Sequence, residues 1–296
     1  MAPTFSVIIP TFNRANLLST AIKSVLAQSL DDWELIIVDN HSTDQTQDLI
    51  DQINDNRIKF FKVRNFGSIS KSRNFGITQA LGEWIAFLDS DDWWAPNKLE
   101  VCFNHINENV DFVYHNLEVE SNDFWRQDLV CHQLRSPIFV DLMLNGNPIA
   151  ASSVVARKSL FNQINGMDES VEMVTTADFN SWLKMSLISE RFIRIPEFLG
   201  HYRFHDNNLS NDRILEANLL AISEFLSLLS KAKQRKAISN LKYTQARVNF
   251  LSKNFNEVNK YLASSILSSR FDRKIKSVYM FVYVLAVKFR IELRNE

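Results

Sequence analysis

Three carboxylates, Asp89, Asp91 and Asp92, stand immediately after the apolar run Trp84-Ile85-Ala86-Phe87-Leu88. A buried strand of a parallel sheet reads as such a run, and ligands bind beyond the carboxyl ends of these strands. Carboxylates placed there at Asp-x-Asp spacing suit a hard divalent cation, Mg2+ or Mn2+. Such an ion takes one or two protein carboxylates and fills its shell with water and substrate phosphate. The chemistry implied is a metal–diphosphate site. Composition alone leaves a solvated turn equally open, because Asp also favours turns.

Those carboxylates need elements that place them. Residues 5–9, 34–38, 57–63, 84–88, 111–115, 152–156 and 192–195 read as strands. Leu17, Leu18, Ala21, Ile22, Val25 and Leu26 recur on one face of a helix. Further helices are expected over 70–81, stopped by Gly82, from Pro96 to about Ile106, and over 178–187. This alternation predicts an α/β fold with a mainly parallel sheet between helices. Polar loops then gather at the carboxyl ends of the strands, which brings Thr11, Asp39 and Asp89 to one edge. Residues 116–149 read as loop-rich. Beyond residue 214 no Pro or Gly occurs, and helices are expected over 214–230, 237–253, 257–268 and 275–293. The expected organisation is a domain over 1–213 and a basic, all-helical region over 214–296.

The 296 residues, 46% hydrophobic and 23% charged, have an ordinary globular composition. Net charge is −1, yet residues 1–213 carry 18 Lys and Arg against 28 Asp and Glu, whereas residues 214–296 carry 15 against 6. A basic helical region suits an anionic membrane surface or complements the acidic part of the chain. Nucleic acid, the other anion such charge can meet, is not an expected partner. Cys102 and Cys131 are the only cysteines and lack Cys-x-x-Cys spacing, which suits a reducing compartment and excludes a thiolate metal cluster. The sequence enters its first strand without a basic segment and a long apolar core, so a secretory signal is not expected.

In the last helix, the apolar run 278–287 falls short of the roughly 20 residues that a membrane span takes. Arg273, Lys274, Lys276, Lys288 and Arg290 bracket that run. Basic flanks around an apolar face suit a helix lying in the membrane interface; a core helix packed on its neighbours reads the same way. The expected location is cytoplasmic, with peripheral contact at the inner face of the plasma membrane if these helices bind lipid.

Several motifs converge on one resemblance. Val7-Ile8-Ile9-Pro10-Thr11-Phe12-Asn13-Arg14 before a helix resembles the opening of the family 2, GT-A-type glycosyltransferases of bacteria. Val38-Asp39-Asn40-His41-Ser42-Thr43-Asp44 is similar to that family's Val-Asp-Asp-Gly-Ser-Thr-Asp signature, and Ser72-Arg73-Asn74-Phe75-Gly76 to its Ala-Arg-Asn-x-Gly element. Phe87-Leu88-Asp89-Ser90-Asp91-Asp92 resembles its metal motif. Ala177-Asp178-Phe179-Asn180-Ser181-Trp182-Leu183 is similar to its Glu-Asp-x-x-x-Trp-Leu segment, with Ala177 in place of the Glu. Residues 200–210 resemble its closing Tyr-Arg-x-His-x-x-Asn-x-Ser segment, and Asn165-Gly166-Met167-Asp168-Glu169 its Gly-Gly-Phe-Asp-Glu turn. Asn165 can stand for the first Gly because Asn accepts left-handed backbone angles. The likeness covers residues 4–213 and is strongest before Leu99.

The resemblance implies a GT-A nucleotide-diphospho-sugar transferase fold and an inverting transfer from a UDP- or dTDP-sugar to a hydroxyl of a glycan or lipid-linked acceptor. It implies Mn2+ or Mg2+ held by Asp91, with His205 as a further ligand. It implies that Asp39 accepts the N–H of the base, with Thr11 and Arg14 near base and ribose. Arg73 approaches the donor's phosphates or base, Asp89 the ribose or metal-bound water, and Arg203 reinforces His205. Asp178 is implied as the general base; it also suits the N-cap of the helix that follows. Asp92 supports the loop or caps a helix. Trp93, Trp94 and Trp125 suit either sugar faces or the core. A non-catalytic nucleotide-sugar-binding scaffold fits many of the same residues. A nucleotidyltransferase typically needs a Gly-rich phosphate loop near the amino terminus, and the first Gly of this chain is Gly67.

Overall fold

Strands β1 (Phe5–Thr11) and β2 (Trp33–Asp39) are buried at every position, as strands covered on both faces must be. Between them, α1 (Ala15–Leu26) turns Leu18, Ile22 and Val25 onto Val7, Ile9, Leu35 and Ile37 in the main core. The computed structural model describes residues 2–120, 128–204, 214–251, 254–265 and 271–295. After β2 come α2 (Thr46–Asp51), β3 (Ile58–Lys62), α3 (Ile69–Gln79), β4 (Trp84–Phe87), β5 (Trp93–Trp94), α4 (Lys98–His105) and β6 (Phe112–Glu120). Next are α5 (Ile138–Asn145), β7 (Val155–Arg157), α6 (Lys158–Gln163), α7 (Ala177–Ser186) and β8 (Phe192–Arg203). The strands form an 8-stranded sheet in the order β3-β2-β1-β4-β7-β6-β8-β5. Pairing is parallel from β3 to β4 and between β6 and β8, and antiparallel where β7 and β5 join.

Register decides which loops meet. Thr11 pairs with Asp39, and Ile8 with Phe87. The Leu88 N–H still bonds Ile8 O at 3.1 Å before the chain leaves the sheet at Asp89. The three loops therefore open at one edge. The helix α3 lies close against β1: a Cβ on Gly76 would stand 2.6 Å from Ile8 Cγ2.

Several element bounds differ from the sequence expectation. The helix expected over 70–81 ends at Gln79, where Ala80 is already extended, and Gly82 instead lies against the Ser6 backbone. Residues 151–153 form a 3-10 turn, so the strand begins at Val155. The stretch 116–149, expected to be loop-rich, contains the end of β6 and the whole of α5. The strand expected over 192–195 continues to Arg203 through Pro196 and Gly200. Register shifts between β6 and β8 around Asn116 absorb the proline, and Asn116 Nδ2 bonds Pro196 O at 2.7 Å.

The chain divides into two compact units, residues 1–135 with 148–208, and residues 136–147 with 209–296. The boundary expected at residue 213 falls outside the described residues, and α5 groups with the carboxyl-terminal helices. These are α8 (Ile214–Ser223), α9 (Lys231–Leu251), α10 (Phe255–Ser265) and α11 (Phe271–Asn295). Tyr243 and Ala246 of α9, Val258 and Leu262 of α10, and Met280 and Val284 of α11 make this unit's own core. Among the described residues, no helix is long and apolar enough to cross a membrane.

Candidate active site

The loop after β1 is laced to the loop after β2. Asn13, at φ +49°, donates its N–H to Ser42 Oγ and accepts the Thr43 N–H on its Oδ1, each at 2.8 Å. Asp39 is fully buried, and its carboxylate accepts both the N–H and the hydroxyl of Ser42. His41, where the related signature has Gly, takes φ +57°. Asp44 caps two helices at once: it accepts the Ala15 N–H of α1 at 2.9 Å, and the Thr46 N–H and hydroxyl of α2. Burial pushes its pKa up, but these bonds outweigh burial and hold it below the ordinary carboxylate value. Asn40 Oδ1 accepts the Asn65 N–H at 2.9 Å, joining the loop after β3.

The acidic loop after β4 meets two arginines. Arg14 Nη1 lies 2.6 Å from Asp91 Oδ2, and Arg73 Nη2 lies 2.5 Å from Asp89 Oδ1. Arg73 is nearly buried, its guanidinium 5.3 Å from the centre of the Phe87 ring. Asp92 is buried deepest. Its carboxylate accepts the Ser152 hydroxyl at 2.6 Å and the Arg203 N–H at 3.1 Å. Burial, together with the charges of Asp89 and Asp91, pushes its pKa well above the ordinary carboxylate range. Asp89 and Asp91 are thus each matched by one guanidinium group, and Asp92 favours its neutral form.

Ser152 is the organiser that sequence reading missed. Besides its bond to Asp92, its Oγ accepts the Asp89 N–H at 3.1 Å, and its carbonyl accepts the Trp94 indole N–H at 2.8 Å. Read as the start of a strand, it offered no signal beyond being a polar residue in an apolar run. Asn74 has a comparable role: it holds the Met167 N–H and carbonyl, each at 2.8 Å, and so ties α3 to the turn. In that turn Asn165 and Gly166 take φ +59° and +81°, as the left-handed reading of Asn165 required.

The remaining candidates are more dispersed. Arg203 reaches the acidic loop through its backbone; its side chain lies 4.8 Å from the Trp93 ring centre and pairs with Glu120 at 2.8 Å. Asp178 is half-buried in the first turn of α7, and its Oδ1 accepts the Phe179 N–H at 2.7 Å. Trp94 is core, whereas Trp93 stacks on His201 at 4.8 Å. His205 and Trp125 lie outside the described residues.

The donor set tests whether a cation fits. Among the described residues, no group of three His, Cys, Asp or Glu side chains is arranged to hold a metal ion. An Asp-x-Asp loop does not require one, because Mg2+ takes one or two carboxylates and completes its shell with water and phosphate. Carboxylate oxygens are the donors that such a hard ion prefers.

With this geometry in place, comparison with known proteins is decisive: the profile of glycosyl transferase family 2 matches residues 6–164. The chain belongs to glycosyl transferase family 2. This glycosyltransferase is 30% identical over 218 residues to the UDP-Glc:alpha-D-GlcNAc-diphosphoundecaprenol beta-1,3-glucosyltransferase WfgD of Escherichia coli, covering 71% of this chain and 81% of that one. It is 31% identical over 216 residues to the putative teichuronic acid biosynthesis glycosyltransferase TuaG of Bacillus subtilis, covering 71% and 83%. The fold is shared with S. aureus TarS 1-349 in complex with UDP-GlcNAc, at a TM-score of 0.67, 20% identity and coverage of 89% and 79%. It is shared as well with the mannosyltransferase PcManGT from Pyrobaculum calidifontis in complex with GDP-Man and Mn2+, at a TM-score of 0.63, 16% identity and coverage of 98% and 83%. The GT-A-type sheet and the helices after it are thus features of this glycosyltransferase in common with solved relatives.

Proposed function

We propose that this glycosyltransferase moves a sugar, with inversion, from a UDP- or dTDP-sugar to a hydroxyl of a glycan or lipid-linked acceptor in cell-surface polysaccharide assembly. The observation that carries this reading is the meeting of Asp89 and Asp91 with Arg73 and Arg14 at the edge where Asp39 and Thr11 are register partners. Such an edge offers a carboxylate to a base N–H and the Arg73 guanidinium to phosphates, whose charge-assisted bonds are the strong ones. The name of the E. coli relative, which specifies a UDP-sugar donor and a diphosphoundecaprenol-linked acceptor, supports both substrate classes.

In this reading Asp39 accepts from the base, Thr11, Arg14 and Asp89 face base and ribose, and Arg73 reaches the phosphates. Arg203 reinforces His205. Asp91, with His205, would hold a divalent cation, Mn2+ or Mg2+, which when bound would supply electrostatic relief to the departing diphosphate. Asp178 takes the proton of the acceptor hydroxyl. The acceptor oxygen bonds to the anomeric carbon as the bond from that carbon to the donor phosphate oxygen breaks. The electron pair leaves with the nucleoside diphosphate.

Transfer assays over a panel of nucleotide sugars, with and without Mn2+, test this. Asp178→Asn is expected to lower kcat by about 10²- to 10⁴-fold with donor binding unchanged. Asp91→Ala is expected to remove the response to the cation. Undiminished turnover in both variants would sink the assignment.

A further inference from the structure

The helix α11 is apolar on two sides. Ser277, Met280 and Val284 are buried, and the last two belong to the core shared with α9 and α10. On the roughly opposite side, Ile275, Val278, Tyr279, Val282 and Leu285 are exposed by 56%, 59%, 61%, 58% and 48%. At 3.6 residues per turn these five fall in one stripe about a third of the helix circumference wide. Phe281 and Tyr283 widen it, exposed by 44% and 43%. An apolar surface of this extent on a water-soluble face marks an interaction site.

Charge selects the occupant. Lys274 and Lys276 are exposed and, by helical geometry, stand on either side of the stripe. Residues 214–296 carry 15 Lys and Arg against 6 Asp and Glu. Lysines beside an apolar stripe lay their stems along it and keep their ammonium groups in the polar layer. Tyrosine suits the same boundary, with an apolar ring and a polar tip. A second copy of the chain fits poorly, because pairing two such stripes would bring the lysines of both copies together. No described helix is long and apolar enough to cross a bilayer, which leaves a helix lying in its surface.

We infer that this face of α11 docks the protein on an anionic lipid bilayer, with the stripe in the headgroup–acyl boundary and the lysines among the headgroups. The inference goes beyond the donor reading and is independent of it, since docking is measured with no nucleotide present.

The test is co-sedimentation of the full chain with phosphatidylcholine vesicles with and without phosphatidylglycerol. Wild-type protein is expected to pellet with the anionic vesicles and to remain largely free with the neutral ones. Val278→Asp with Val282→Asp is expected to weaken binding about tenfold or more. Lys274→Glu with Lys276→Glu should weaken it less and flatten its dependence on salt. These positions are exposed, and circular dichroism verifies that the variants are folded. Hydrogen exchange on the wild-type chain needs no variant: vesicles are expected to slow exchange over residues 274–286. Failure to pellet, equal pelleting with both vesicle types, binding untouched by either double variant, or protection confined to other segments would overturn docking through α11. So would a dimer that forms without lipid and is abolished by the two aspartates, because the stripe would then belong to a second copy.

Discussion

Arg14 and Arg73 hold the acidic loop in the same way and differ in accessibility. The Arg14 side chain is 32% exposed and pairs with Asp91, whereas the Arg73 side chain is 8% exposed and pairs with Asp89. A nearly buried guanidinium serves a carboxylate and a phosphate together only through its planar fork, which lysine lacks. Arg73→Lys is therefore expected to weaken donor binding about tenfold, read by nucleotide titration; unchanged affinity would place Arg73 in support of the loop alone. Lys98 poses a different problem. It is fully buried, its Nζ lies 3.4 Å from the centre of the Trp94 ring, and among the described residues that nitrogen has no hydrogen-bond partner. Burial pulls its pKa down from 10.5 to about 7. A buried ammonium is therefore destabilising below about pH 7, and the penalty fades as pH rises toward the unfolded-state value. Lys98→Met is expected to stabilise the protein by about 1–3 kcal/mol near pH 6, with an advantage that shrinks above pH 7. Urea unfolding across that range checks it, and an advantage that grows with pH would contradict the account.

At the scale of elements, the placement of the site depends on how closely α3 approaches β1. Gly76 is the contact point, and a methyl there would press on Ile8 Cγ2 inside a fully buried strand. Gly76→Ala is expected to cost about 1–3 kcal/mol, and trimming Ile8→Ala in the same chain should recover part of that loss, because the two changes share one space. Chemical denaturation of the single and double variants measures the coupling; strictly additive losses would place the strain elsewhere. Arg73 lies on the same helix and pairs with Asp89, so donor affinity should follow stability in this series. Where the sequence was easy to read, one physical pattern dominated: largely apolar runs for β1, β2 and β4, and a clean helical period for α1. Where it was hard, two patterns competed. Pro196 and Gly200 argue against a strand, yet β8 carries both because register shifts against β6 absorb them. Ser152, and the role of Asn74 within its motif, escaped notice because their partners lie 60 and 93 positions away, which no local spacing encodes. Asp39, Asp89 and Asp91 stand out in the sequence because Asp39 ends β2 and the other two lie just beyond β4.

Across the whole molecule, the two compact units differ in how their interiors are built. The first has a sheet core of fully buried Phe, Ile, Leu and Val contributed by strands and by α1 and α4. The second is built from helices alone: α9, α10 and α11 share one apolar cluster, α5 and α8 add buried Leu142, Met143, Ala221 and Ile222, and α11 leaves much of its apolar surface in water. Stability grows with the apolar area removed from water, so the second unit is expected to be the weaker one. Separate cores also make separate unfolding transitions the natural outcome, since two-state behaviour belongs to single cooperative units. Calorimetry should resolve a lower transition from the helical unit and a higher one from the sheet unit. A nucleotide donor, bound only by the folded sheet unit, should raise the upper transition and leave the lower one in place. Leu262→Ala removes a side chain that is 3% exposed in the helical core, at a cost of about 2–5 kcal/mol, and should lower the first transition alone. A single transition that moves as one with both ligand and substitution would show that the helices and the sheet fold as one cooperative body.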